Sequence, residues 1–211
     1  MKSRSGVLAI VATAILLGML LSGQHTSDAY VSGTIIVCIA LAWVSPLLST
    51  RKIITLPASI EAMIVLSLCL HCLGLITDWY NTTFWWDKVT HLASGITVGA
   101  LVAVALMIVG MEENKAVYIP RRWVPFFVAI GVVALGVFWE MMEFGLDTTV
   151  GTHMQHGLED TVNDLISDGV AGVLVGIAST FCLRRSSIRE CVESFDVSKI
   201  LARWDQKAKT V

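Results

Sequence analysis

Charge is scarce in this chain: 15% of its 211 residues are charged, against 55% that are apolar. A soluble domain carries about 25% charged residues. With a mean hydropathy of +0.72, this balance excludes an ordinary water-soluble globule and points to a membrane class. Cysteine is sparse and odd in number, five in all. Cys38, Cys69, Cys72 and Cys182 lie in apolar runs where a thiol packs as a small hydrophobe, so no disulfide framework is expected. Cys69-Leu70-His71-Cys72 offers metal-binding residue types, but adjacent residues on a helix point in different directions, and burial is the plainer reading. There is no Gly-rich phosphate loop, internal repeat or low-complexity segment. The basic C-terminal tail is too short and too close to an apolar run to argue for nucleic acid. Two of the few prolines, Pro46 and Pro57, flank the Arg51-Lys52 turn near expected helix ends, where they cost little.

Apolar runs dominate instead, at about 6–23, 31–49, 54–76, 89–110, 123–144 and 161–183. Each has about the length that a bilayer core of roughly 30 Å requires at about 1.5 Å per residue. Only helices or closed barrels satisfy their backbone in lipid, and runs this long and apolar mean helices. The expected fold class is therefore all-α, a polytopic membrane bundle of six transmembrane helices over residues 1–183. The first run lacks the short core and A-x-A-like cleavage site of a signal peptide, so it is read as a retained span. Residues 184–211 turn polar and basic. There Ile188, Val192 and Phe195, then Ile200, Leu201 and Trp204, recur at near-helical spacing, which predicts short amphipathic helices on the cytoplasmic surface, with a solvated tail as the alternative.

Orientation follows from the basic residues. Lys2, Arg4, Arg51, Lys52, Lys115, Arg121, Arg122, Arg184, Arg185, Arg189, Lys199, Arg203, Lys207 and Lys209 fall on one side of a six-span arrangement, and only Lys88 on the other. The positive-inside rule then places both termini in the cytoplasm and the 24–30, 77–88 and 145–160 loops outside, in a cell inner (plasma) membrane. Acids show the opposite bias. Asp28, Asp78, Asp87, Glu140, Glu143, Asp147, Glu159, Asp160, Asp164 and Asp168 lie at or near the outer ends, as do His25, His71, His91, His153 and His156. Acids contribute little to topology, so this bias suggests a site or surface that holds cations. Trp79, Tyr80, Phe84, Trp85, Trp86 and Trp139 gather at the same level, as an interfacial belt or as a wall beside a lipid-chain opening. Asn81-Thr82-Thr83 matches a glycosylation sequon, which suits an outward loop but is common by chance.

On a helix, Asp160, Asp164, Asp168, Gly172 and Gly176 form one stripe at steps of four. Asp87, His91, Gly95 and Gly99 repeat that pattern on the fourth span, and Glu140, Glu143 and Asp147 share a face of the fifth, with Gly136 a turn deeper. Small residues at this spacing let membrane helices approach closely. Contact between the two glycine stripes would bring Asp87 and His91 towards Asp164 and Asp168. A charged carboxylate at the depth of Asp168 costs on the order of 2.5–3.5 kcal/mol on insertion scales, so it needs a partner: a histidine, a proton, a metal ion or a polar neighbour such as Asn163. A structural hydrogen-bond network is the bland alternative. Carboxylates suit Mg, Mn or Ca, and including His91 or His71 moves the choice towards Mn, Fe or Zn. Glu61 stands apart, deep in the third span towards the cytoplasmic half.

Asp87-Lys88-Val89-Thr90-His91 with Gly95, then Glu140-Met141-Met142-Glu143-Phe144, then Asp160-Thr161-Val162-Asn163-Asp164 leading to Gly172, resemble in order the YjdF-like family of inner-membrane proteins and, more distantly, VanZ-like proteins. The resemblance covers residues 84–176 and rests on three short motifs. It implies a multi-helix membrane protein. Because VanZ-like members are associated with glycopeptide-antibiotic resistance, it also implies a role near cell-envelope precursors. It supports Asp87, His91, Glu140, Glu143, Asp160 and Asp164; Asp168 departs from the pattern, where Ala or Asn is expected.

The leading functional expectation is an outward-facing membrane hydrolase or transferase acting on a lipid-linked envelope substrate. A divalent metal (Mg, Mn, Ca or Zn) held by Asp87, His91, Glu143, Asp160 and Asp164 would serve it, with Glu140 or His91 as general base. A proton- or cation-coupled transporter is the second reading, favoured if Glu61 and the outer acids line one path. A non-catalytic envelope or glycopeptide-resistance factor is the third.

Overall fold

The computed structural model describes residues 2–22, 28–110, 120–185 and 190. His25, Lys115 and the amphipathic helices expected in the tail lie outside the described residues. The helices are α1 Lys2–Leu21, α2 Ala29–Ala42, α3 Val44–Thr50, α4 Ala58–Ile76, α5 Trp79–Thr82, α6 Trp86–Gly110, α7 Val124–Val150 and α8 Leu158–Arg185, with a 3-10 turn at Arg121–Trp123 before α7. Five stretches are long and apolar enough to cross a membrane, α2 and α3 counting together as Ala29–Thr50, and the apolar part of α1, Gly6–Leu21, is a shorter sixth. The six apolar runs of the sequence thus become helices, and no strand occurs among the described residues.

Helix ends follow local chemistry. Asp28 caps α2 by accepting from the Tyr30 N–H at 2.8 Å. The second span breaks at Trp43, three residues before Pro46, because proline offers no N–H to the carbonyl one turn back and its ring crowds that carbonyl. The break is stitched to α1 by Trp43 Nε1 donating to Thr13 Oγ1 at 3.0 Å. Beyond α3, Lys52 takes a left-handed φ of 52°. Its N–H reaches Ser49 O at 2.9 Å and the Ile53 N–H reaches Leu48 O at 2.9 Å, a Schellman closure that satisfies the last carbonyls. α7 runs to Val150, six residues past the expected 123–144 run, so Asp147 is helical. Gly151, at φ 78°, ends it.

The helices form two groups. α1, α2 and α4 pack around Leu16, Val31, Ile35, Cys38, Cys72 and Ile76, so Cys72 is buried packing, as the plainer reading held. α6, α7 and α8 pack around Ala103, Met107, Val124, Val128 and Leu183, and α4 joins the groups by lying against α6. α8 is inside-out by the standards of a soluble helix. It buries Asp164, Asp168, Gly172, Gly176 and Ser179 and exposes Ile166, Val170, Leu174, Ile177 and Phe181. In water that arrangement would forfeit the apolar transfer energy of about 1.5–3 kcal/mol per large side chain; in lipid the exposed face costs nothing.

Small residues do the close packing, although the two glycine stripes do not meet each other as expected. A Cβ on Gly172 would lie 2.9 Å from Ala129 Cα, and one on Gly176 would lie 2.8 Å from Pro125 O, so this stripe packs on α7. Gly95 and Gly99 of α6 instead face Ala171 and Val175, each one residue ahead on α8. Because successive helix residues are about 100° apart, α8 can offer one row to α7 and the adjacent row to α6. The three helices therefore form a tight triangle rather than a pair with a bystander.

Candidate functional site

The triangle fixes the polar ends of three helices around one imidazole. His91, one turn into α6, is buried, with 7% of its surface exposed. Its Nδ1 lies 3.4 Å from Asp168 Oδ2 of α8, and its Nε2 lies 3.7 Å from Asp87 Oδ1 and 3.9 Å from Glu140 Oε1 of α7. An ionised carboxylate can only accept, so Nδ1 carries the proton towards Asp168, while Nε2 faces Asp87 and Glu140. Asp164, 2% exposed, completes the group. Asp87, His91 and Asp164 each offer a ligand atom within 4.8 Å of the other two.

Asp168 reaches the ring because two glycines leave room. A Cβ on Gly136 of α7 would sit 3.0 Å from Asp168 Cγ, and one on Gly95 of α6 would sit 3.1 Å from its Oδ1. The carboxylate therefore lies in a notch that any side chain would fill. This is the residue that departed from the family-like motif, and of the carboxylates facing the His91 ring nitrogens at 3.4, 3.7 and 3.9 Å it is the nearest. The Asp160 to Gly176 stripe of the sequence already brings it towards His91, although it is not among the expected ligands.

The remaining acids are otherwise engaged. Asp160 accepts from Lys88 Nζ at 2.7 Å and faces His156 Nδ1 at 3.5 Å, so it forms the rim rather than the cluster. Glu143 accepts from Trp139 Nε1 at 2.8 Å, an i,i+4 contact on its own helix, and stands outside the three-residue group. Asp147 holds the loop after α7, accepting from Thr152 Oγ1 at 2.5 Å and from the Met154 and Gln155 N–H groups at 2.9 and 3.0 Å. Of the five expected metal ligands, the structure brings together Asp87, His91 and Asp164, with Glu140 beside them. Asn81, of the sequon, donates to Asp78 at 2.6 Å and accepts from His156 at 2.9 Å.

His71 is no ligand of this cluster. Its Nδ1 lies 2.8 Å from the Tyr80 hydroxyl, which donates to Thr90 Oγ1 at 3.3 Å; Thr90 in turn donates to the Asp87 carbonyl at 2.8 Å. Since Tyr80 has a single proton and gives it to Thr90, His71 is the donor to Tyr80. Burial pushes the Tyr80 phenol above its ordinary range, so it stays neutral. The chain links α4, α5 and α6 beside a cavity of about 470 Å³, whose lining includes His71, Tyr80, Asp87 and Glu143.

Charge is not balanced inside the cluster. Asp87, Glu140, Asp164 and Asp168 surround one histidine, and Lys88 is committed to Asp160. Two like charges 4 Å apart repel by about 4 kcal/mol at an effective dielectric of about 20. Two carboxylate oxygens, Glu140 Oε1 and Asp164 Oδ1, are buried without a hydrogen-bond partner, a costly state for a polar atom. Chemically, the arrangement can take up a divalent cation or protons. A cation with ligand atoms at about 2.0–2.2 Å needs those atoms within roughly 4.2 Å of one another, so small side-chain movements would close the site.

Compared with known families, residues 6–185 match the family described as predicted membrane protein (DUF2238). No curated protein and no solved structure matches the chain. The matched span takes in every helix of the triangle and all residues of the cluster, and it agrees with a fold built from apolar helices. The chain therefore belongs to this DUF2238 family of predicted membrane proteins.

Proposed function

We propose that this protein is a cation-dependent hydrolase or transferase of the plasma (inner) membrane, acting at the outer face on a lipid-linked substrate that occupies the cavity beside the cluster. The observation that carries the reading is the group Asp87, His91 and Asp164, three donor atoms within 4.8 Å of one another, with two unpartnered carboxylate oxygens in the same place. Asp168 on Nδ1 of His91 supports it further, because a carboxylate behind a histidine fixes the ring and leaves the other nitrogen free to bind. Two carboxylates and an imidazole favour Mn, Fe or Zn over Mg or Ca.

A divalent cation bound there would supply positive charge to polarise the substrate's reacting oxygen. With His91 held as a ligand, Glu140 is the group left to take a proton, its Oε1 carrying no hydrogen bond. Tyr80 and Thr90 fix the backbone of Asp87, and Lys88 with Asp160 closes the rim. The transport reading asks for one path from Glu61 to the outer acids. Glu61 bonds Ser45 Oγ at 2.5 Å towards α3, whereas Ser67 of the same helix meets Thr97 of α6 at 2.9 Å, so the polar groups of α4 face two ways. The outward direction of the acid-rich end and the kinship to YjdF-like and VanZ-like proteins are part of this proposal and would place the substrate among envelope precursors.

Titration of chelator-stripped, purified protein with Mn²⁺ or Zn²⁺ tests it. One ion per chain is expected, with affinity reduced at least about tenfold in Asp164→Asn and in His91→Ala and retained in Asp160→Asn. A chain that takes up neither ion would leave proton-coupled transport or a non-catalytic resistance role to account for the cluster.

A further inference from the structure

The cavity beside the cluster is lined by four carboxylates and by three imidazoles, those of His71, His153 and His156, of which His71 is held by Tyr80 and His156 by Asn81 and Asp160. Its carboxylates are Asp28, Asp78, Asp87 and Glu143, and no lysine or arginine lines it among the described residues. The structural duties of these acids leave oxygens over. Asp28 uses Oδ1 to cap α2, Asp78 uses Oδ1 on Asn81, and Glu143 uses Oε1 on Trp139. Two phenol rings, Tyr30 and Tyr80, belong to the same wall. Even with Asp87 engaged by a metal ion and Glu143 set aside, the carboxylates of Asp28 and Asp78 remain, so a phosphate or pyrophosphate group would meet like charge. An organic ammonium would meet complementary charge, with two aromatic rings in the same lining; a ring face within reach attracts a cation by about 0.5–2 kcal/mol. The volume, about 470 Å³, lies within the usual range for small-molecule sites, about 300–1,000 Å³.

We infer that this cavity binds an organic ammonium group, presented by a lipid headgroup or by a free amine, and that the reacting substrate is positively charged at the end it places there. The inference names the substrate class of the proposed function and rests on that reading for the chemistry performed, while binding is measured without it.

The test uses full-length protein in phosphatidylglycerol nanodiscs, titrated calorimetrically with ethanolamine, choline and inorganic pyrophosphate, the metal content of each sample being determined alongside. Asp28→Asn/Asp78→Asn and Glu143→Gln are the variants. Asparagine caps a helix as well as aspartate does and tolerates the left-handed φ of 59° at Asp78, and glutamine keeps an oxygen for Trp139, so each removes charge while keeping its hydrogen bond. Saturable amine binding, weakened about tenfold in the double variant, is expected, with pyrophosphate bound more weakly. Nanodiscs containing phosphatidylethanolamine separate the sources: competition with the free amine identifies the lipid headgroup, and its absence identifies a free amine, both supporting the inference. Preference for pyrophosphate, or amine binding indifferent to the variants, overturns it. Amine binding by protein that takes up no metal would keep this inference and remove the metal-dependent reading.

Discussion

In the proposed site, Asp168 would act through His91 rather than on a ligand directly. Its contact at 3.4 Å assigns the proton to Nδ1 and turns Nε2 towards Asp87. Asp168→Asn keeps the shape of the side chain but removes the charge that orients the ring. It should cost about 10- to 100-fold in Mn²⁺ affinity, read by calorimetric titration, with the helical circular dichroism spectrum unchanged. Equal affinity in the two proteins would reduce Asp168 to a space-filling role. Spacing made Asp87, His91 and Asp164 legible in the sequence, since steps of four on two helices leave few other faces for them. Asp160 and Glu143 were not separable from that set by spacing. Lys88 lies 72 residues from Asp160 and takes it by tertiary contact, and Trp139 takes Glu143 by a local one.

At the scale of the helix, the glycines have unequal duties. Gly172 presses on the α7 backbone, where an added methyl would stand 2.9 Å from Ala129 Cα, whereas nothing lies within 4 Å of a methyl on Gly145. Backbone cannot step aside as a flexible side chain can. Gly172→Ala should therefore destabilise the protein by about 1–3 kcal/mol, as overpacking does, and Gly145→Ala should be neutral or stabilising by up to about 1 kcal/mol through helix propensity. Thermal unfolding of both variants in detergent makes the comparison, and similar melting temperatures would mean that α7 and α8 are not in backbone contact. The small-residue stripe was visible in the sequence, but its partner was not. A row of glycines states that something comes close without saying which neighbour does. Pro46 is expected to cost little near a helix end, whereas the span breaks at Trp43 ahead of it, and the extra length of α7 was hidden because residues 145–150 are too polar to extend an apolar run.

For the whole molecule, the apolar runs alone dictated a bundle of helices, because lipid allows the backbone no other long apolar arrangement. Sequence could not show that α6, α7 and α8 form a closed triangle with α4 laid against α6, since that depends on which rows of side chains interlock. The basic residues predict that the loop between α7 and α8 is extracytoplasmic. His153 is exposed on that loop, so a His153→Cys protein should react with a membrane-impermeant maleimide in intact cells. Reaction only after permeabilisation would invert the topology and place the cluster at the cytoplasmic side.

The central claim is that the imidazole of α6 and a carboxylate of α8 share one metal ion. Pulsed electron paramagnetic resonance of the Mn²⁺-loaded protein tests it most directly. The account predicts a nitrogen coupling from His91 that disappears in His91→Ala; bound Mn²⁺ with oxygen ligands alone, or with a nitrogen signal that survives the loss of His91, would contradict it.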